Sequence, residues 1–315
     1  MMERPSLYKT SSLSELMALA EAATESSSPS SMESSTMRLV VLDYDDTLSP
    51  SSWVAARHRE KKSEMTAEEA QLLMEVEKGI GGLLQAVRAL GCAVVIITNA
   101  DREWVEYSCA RYLPRCMDLL SKVHVVSARH FEHVYPGRSV CWKAAAFTHV
   151  AKAFFATGNS DPRCRREIIS IGDSNDERLA VRAAAAPLNA TPKAIKLVDS
   201  PRLWTVARQL QTVAHCLPFL VYSDHAVDVD VAAVLHLSLS LFPPKHDKDE
   251  TKDELQLNHH LWQDAAWGVL SAIRFQGSSS KDNRKQQQKT LEPTIAPITQ
   301  TISRIISDPT IPAAA

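Results

Sequence analysis

From residue 37 onward the chain alternates between two textures. Short apolar runs, rich in β-branched residues, occupy 37–42, 92–98, 123–127, 167–171 and 194–198. Each is nearly continuous in apolar residues rather than alternating, as strands buried on both faces are. Helical patterns separate them. Thr66 followed by Glu69 is a capping-box signature, and the amphipathic pattern it opens runs to Leu90. Gly91 then sits where a helix C-cap glycine belongs. Further helices are predicted over 101–112, 142–156, 176–185 and 201–216, the last with Ser200 as its N-cap and Pro201 in its first turn. Strands alternating with helices predict an α/β three-layer sandwich, with a central, mostly parallel five-stranded sheet covered on both faces.

The flanks read differently. Residues 1–36 are Ser-rich and predict a disordered leader, with a short helix over 13–23. Beyond a 37–220 catalytic unit, 221–275 reads as a helical extension, with helices over 227–241 and 254–275 and a charged linker at 243–253. Residues 276–315 are rich in Gln, Lys, Ser, Thr and Pro and predict a disordered tail. Protein partners are expected, if anywhere, through these tails.

Composition narrows the function classes. The chain has 315 residues, 45% of them hydrophobic, and a formal charge of -2. That size affords a buried core, and that charge gives no argument for nucleic acid or an anionic membrane. The most apolar late stretch, 212–242, is broken by Asp224, Asp228 and Asp230, so no transmembrane helix is expected. Six cysteines occur without a CxxC pair, which speaks against a zinc ribbon or a redox dithiol. Reduced thiols and an intracellular, cytoplasmic setting are the expectation, with nucleus or organelle left open.

The chemistry concentrates at strand ends. In VVLDYDDTLSP (40–50) an apolar strand stops at three acids, Asp43, Asp45 and Asp46. Ligands bind beyond the carboxyl edge of open parallel sheets. Two carboxylates two residues apart on extended chain point the same way, so one can attack phosphorus while the other moves a proton. Their repulsion calls for a cation, and Mg2+ suits hard oxygen ligands. In EIISIGDSNDE (167–177) a second apolar strand breaks at Gly172 and delivers Asp173, Asp176 and Glu177. Asp173 could equally be a helix N-cap, a role open also to Ser174 or Asn175. A third strand ends in Thr98 and Asn99, whose hydroxyl and neighbouring N–H groups suit phosphate oxygens. Lys143 stands in an apolar setting near a helix start, where a cation is unusual without an anionic partner.

In this order the four pieces resemble the haloacid dehalogenase superfamily, over roughly residues 37–217. Asp43, Asp45 and Thr47 match its DxDx(T/V) motif, Thr98 its second motif, Lys143 its third, and Gly172 with Asp173 its fourth. The stretches LDYDDTLSPSSW, WKAAAF, SIGDSNDE and KLVDSPRLW look most like an uncharacterised eukaryotic branch of it. The resemblance implies a phosphatase, a phosphoric monoester hydrolase working through an aspartyl-phosphate. Asp43 would be the nucleophile and Asp45 the proton donor and acceptor. Thr98, with Thr47 and Asn99 nearby, would hold the phosphoryl group, and Lys143 would offset its charge. Asp43, the Asp45 carbonyl and Asp173 would bind Mg2+. The family often places a further acid four residues after the one matched by Asp173, which selects Glu177, with Asp176 as the fallback. Either would reach the metal through a water.

Neither 48–92 nor 101–142 leaves room for an inserted cap once its predicted elements are placed. A nearly capless, open site is therefore expected, favouring a phosphoprotein or another large substrate, with a flap at 50–53 shaping recognition. A small-metabolite or nucleotide phosphatase is the alternative, and a catalytically weak phosphate-binding scaffold the second. Other features read blandly. Trp53 is expected to pack on the core. His130 and His133 lack a third ligand, adjacent His259 and His260 point apart, Asp228 and Asp230 lack a matching acidic strand end, and Arg163, Arg165 and Arg166 precede their strand, away from the site.

Overall fold

The computed structural model describes residues 36–62, 64–157 and 164–233. The predictions for the leader, 243–275 and the tail lie outside these residues, apart from Thr36, which opens the first strand. Six strands form one sheet in the order β3-β2-β1-β4-β5-β6. They are β1 Thr36–Leu42, β2 Ala93–Thr98, β3 His124–Ser127, β4 Arg165–Gly172, β5 Thr191–Lys196 and β6 Val227–Asp230. All five pairings are parallel. The sheet thus has one strand more than the five predicted.

Seven α-helices lie wholly within the described residues: α1 Ser51–Arg59, α2 Ala67–Ala89, α3 Arg102–Tyr112, α4 Met117–Leu120, α5 Ser139–Ala156, α6 Asn175–Ala185 and α7 Leu203–Val221. They cover both faces because every central strand is apolar on both. Val40 and Leu42 of β1 join the core formed with α2, α3 and α7, whereas Leu39 and Val41 join the core formed with α5 and α6. The predicted capping box is present: Thr66 Oγ1 accepts from Glu69 N at 3.1 Å, and Glu69 Oε2 accepts from Thr66 N at 2.9 Å. At the other end Gly91, at φ +64°, closes α2. Its N–H bonds Arg88 O, and that of Cys92 bonds Val87 O, the pair of reversed bonds that satisfies a helix end.

Three predictions are corrected. First, 227–230 is an edge strand and not the start of a helix. Val227 and Val229 enter the core while Asp228 and Asp230 bond Arg178, a period of two rather than 3.6. Residues 231–233 are helical, as predicted, and 234–241 lie outside the described residues. Second, Ser200 does not cap α7. It sits at φ +46°, and extended Arg202 precedes the helix instead. With Ser200 in the left-handed region the chain turns before Pro201, and the helix begins at Leu203. Third, α7 continues past Cys216 through Pro218 to Val221. An interior proline costs about 3 kcal/mol, but Leu217, Leu220 and Val221 are all buried and hold the last turn against the core.

The segment 50–53 is likewise the start of helix α1 rather than a flap, and Trp53 packs edge-on against Tyr112 with ring centroids 5.8 Å apart. The described residues between β1 and β2, and between β2 and β3, form helices that pack against the sheet, with no inserted domain. None of the described helices is long and apolar enough to cross a membrane.

From β1 the chain moves outward through β2 to β3, then returns to lay β4 on the other side of β1. The two progressions leave β1 in opposite directions. The crevice beyond the carboxyl ends of β1 and β4 is therefore the topological switch point, where open α/β sheets bind ligands.

Candidate active site

Asp43 and Asp173 follow directly on β1 and β4 at this crevice. The strands are in register from Thr36–Arg165 to Leu42–Ile171, and Asp43 N donates to Ile171 O at 3.0 Å. Lys143 comes from the second turn of α5. Its Nζ donates to Asp43 Oδ1 at 2.7 Å and also bonds Glu177 Oε1. All three side chains are buried. The predicted need of Lys143 for an anion is met here by carboxylates.

The fourth-motif region resolves its own alternatives. Ser174, not Asp173, is the N-cap of α6, with its Oγ accepting from Asp176 N at 3.0 Å. Asp173 is thereby left to face the crevice. Glu177 completes the cap: its Oε2 accepts from Ser174 N at 2.9 Å and from Ser174 Oγ at 2.6 Å. Both Glu177 oxygens are thus taken by protein donors, while Asp176 accepts from Ser139 Oγ at 3.1 Å. Gly172 is required by this packing, because a Cβ there would lie 2.5 Å from Glu177 Cγ.

The first motif splits into three roles. Asp46, at φ +53°, turns back to hold α1: its carboxylate accepts from Ser52 N at 2.7 Å and Ser52 Oγ at 2.5 Å. Tyr44 points the other way, fully buried, and bonds Ser108 at 2.8 Å. Asp45 remains partly exposed. Its Oδ1 accepts from Ser51 Oγ at 2.5 Å and Trp104 Nε1 at 2.7 Å, and its Oδ2 lies 3.4 Å from Thr98 Oγ1. Thr98 also accepts from Ala100 N at 3.0 Å, which fixes its hydroxyl at the strand end. Thr47 Oγ1 and Asn99 Oδ1 are buried atoms without a hydrogen-bond partner. Thr47 is fully buried.

The electrostatics are unbalanced. Burial pushes Asp43 up to about 7, opposed by Lys143 and reinforced by Glu177. Burial, Asp43, Glu177 and Asp46 push Asp173 up to about 8. Burial alone would lower Lys143 and raise Glu177, but Asp43 and then Glu177 raise Lys143 by attraction, and Lys143 lowers Glu177. One ammonium therefore faces more carboxylate than it can neutralise. Among the described residues no three His, Cys, Asp or Glu side chains are grouped to hold a metal by themselves. The set that the resemblance implies, Asp43, Asp173 and the Asp45 backbone carbonyl, would be all hard oxygen. Such a set would suit Mg2+, which is commonly held by one or two carboxylates and keeps several waters.

Sequence reasoning missed Ser51 and Trp104, whereas Ser174 takes the N-cap role that its sequence position leaves open to it. Trp104 carried a usable signal: it lies in the first turn of the helix that follows a site strand, and first turns at the carboxyl edge face the crevice. Arg165 and Arg166 do not precede their strand but open it, while Arg163, His259 and His260 lie outside the described residues. His130 and His133 are exposed, and Asp228 is bound by Arg178 and Arg182 rather than facing another acid. No protein-family model, curated protein or solved structure matches this chain.

Proposed function

We propose that this chain is a magnesium-dependent phosphomonoester hydrolase of the haloacid dehalogenase type, acting through an aspartyl-phosphate on Asp43. The observation that carries the reading is the buried Lys143 ammonium bonded to Asp43 at the switch point, with Asp45 held beside it by separate donors. A lysine in that place lowers the charge barrier between a carboxylate and an anionic phosphate. When bound, Mg2+ would supply further neutralisation of phosphate charge at Asp43 and Asp173.

In the first step a carboxylate oxygen of Asp43 forms the bond to phosphorus as the bond to the leaving oxygen breaks. The leaving oxygen takes a proton from the carboxyl of Asp45. In the second step Asp45, now a carboxylate, takes a proton from water as the water oxygen bonds phosphorus and the acyl-phosphate bond breaks. Inorganic phosphate and free Asp43 result. Thr98 and Lys143 hold the phosphoryl oxygens meanwhile. Glu177 keeps Lys143 in place rather than meeting the phosphate.

The connections on either side of β2, short of any inserted domain among the described residues, favour an open site and a bulky substrate such as a phosphoprotein. The test is hydrolysis of an aryl phosphate with and without Mg2+, together with acid-quench trapping of phosphoenzyme. Asp43→Asn is expected to abolish both. Undiminished turnover in that variant would exclude the reading. A panel of phosphopeptides and phosphorylated metabolites then separates the large-substrate reading from a small-molecule one.

A further inference from the structure

Asp45 is held in a way that its motif does not require. Two donors converge on one of its oxygens: Trp104 Nε1 at 2.7 Å and Ser51 Oγ at 2.5 Å, both on Oδ1. The other oxygen, Oδ2, has a single long contact, Thr98 Oγ1 at 3.4 Å. A carboxyl on a short side chain turns freely about its last bond unless something distinguishes its oxygens. Here the indole and the serine distinguish them.

The indole is itself fixed. Asp101 Oδ1 accepts from Trp104 N at 2.9 Å, and Ser108 Oγ donates to Trp104 O at 2.7 Å. Ser108 in turn receives the hydroxyl of Tyr44 at 2.8 Å. Burial pushes the Tyr44 phenol up, so it stays a neutral donor. Tyr44 lies between Asp43 and Asp45 in sequence. The chain of bonds therefore leaves the motif through Tyr44, passes Ser108 and Trp104, and returns to the motif at Asp45. Tyr44 and Ser108 are both fully buried, so one side of this loop is anchored in the core, with Trp104 and Asp45 half-buried.

We propose that Trp104, assisted by Ser51, is a positioning residue that orients Asp45 so that Oδ2 alone faces the leaving group. This rests on the phosphatase reading above. An Asp45 free to rotate would present the wrong oxygen for part of the time. The loss is felt most where the leaving group cannot depart without a proton. General acid catalysis contributes about 10²–10⁴-fold, and misorientation forfeits part of that.

The test compares Trp104→Phe, which removes the N–H and keeps a ring, with the wild-type chain at saturating Mg2+. For an alkyl phosphate, kcat/KM is expected to fall roughly 30-fold, a fraction of that acid contribution. For 4-nitrophenyl phosphate, whose leaving group departs unaided, it is expected to fall no more than about 3-fold, because little of that contribution is then in use. Ser51→Ala is expected to give the same pattern more weakly, and it keeps the test open should Trp104→Phe not fold. A merely structural role would lower both substrates equally, and that result overturns the proposal. A second readout needs no turnover. The Trp104 indole N–H resonance in the full chain, identified by its loss in Trp104→Phe, is expected to move in Asp45→Ala. A resonance that does not respond shows the contact absent and overturns the proposal with the phosphatase reading intact. A wild-type chain that hydrolyses no phosphomonoester, with the resonance responding, sinks the phosphatase reading and the positioning role with it.

Discussion

The sheet carries a buried ionic cluster at each end of the β1–β4 pair, and the two are built to opposite rules. At the amino end Glu167 Oε2 accepts from Arg38 Nε at 3.1 Å and from Lys193 Nζ at 2.9 Å. Lys193 is fully buried and also bonds Val221 O at 3.1 Å. Here the acid is outnumbered by its cations, and every group is satisfied from within the chain. At the carboxyl end the proportion is reversed. Lys143 is shared by Asp43 and Glu177, and Asp173 stands beside them with its pKa raised to about 8. The first cluster is a closed fitting between strands and α7. The second leaves negative charge over, which a resting fold has no use for and a cation-assisted reaction does. Burial of charge is common to both; acid in excess of the cations that the chain supplies is what marks the carboxyl end as a candidate site.

Breaking each cluster sharpens the contrast. The largest effect is expected from Asp43→Asn, which should lower aryl phosphate turnover by about 10⁴-fold or more, as removal of a covalent nucleophile does. Its circular dichroism should be unchanged, and its thermal midpoint in chelator at pH 8 no lower than that of the parent, because a surplus buried charge has gone. Lys143→Met comes next. It leaves Asp43 and Glu177 buried without their cation, and a loss of about 3–5 kcal/mol in a urea melt is expected. Activity should fall with it.

At the other end Glu167→Gln is expected to cost about 3 kcal/mol by the same measurement, since it removes the common partner of two cations. The surviving folded protein should keep its kcat, because nothing at the amino edge touches the crevice. A large drop in kcat at full folding would erase the proposed division between the clusters.

The pH dependence follows from the same surplus. Asp43 and Asp173 have folded pKa values of about 7 and about 8, above the ordinary carboxylate value of 3.8. Between those limits the folded chain retains protons that the unfolded chain has lost. Their contribution to stability therefore falls as pH rises from about 4 to about 8. Mg2+ needs the ionised carboxylates. Its addition should raise the thermal midpoint by several degrees at pH 8.5 and by little at pH 5.5, as read by differential scanning fluorimetry against chelator. The smallest effect is expected from Arg178→Ala. It frees Asp228 from a partly exposed two-pronged pair and should cost about 1 kcal/mol in a urea melt.

Two of the Asp-x-Asp sequences, at 43–45 and 228–230, show how far sequence pattern reaches. Both alternate with buried residues and both lie on extended chain. Alternation predicts that each pair points to one side, and at 228–230 both acids meet Arg178. It does not say what waits there: a lysine, an indole and an empty-handed neighbouring acid in one case, Arg178 and Arg182 in the other. Likewise Val-Asp-Val-Asp at 227–230 carried the period of a strand and was misread because the apolar texture continues beyond it.

The amino-acid sequence by itself determined the local matters: continuous apolar runs made buried parallel strands, Thr66 with Glu69 and Gly91 set the ends of α2, and the acids fell at strand ends. These depend on residues a few positions apart. The tertiary structure alone decided the pairings. Lys143 meets Asp43 across 100 positions, and Trp104 meets Asp45 across 59. Such partners are chosen by strand order and helix packing, which no local pattern encodes. The same holds for the charge surplus, which exists only once burial has removed the water that would otherwise have screened it.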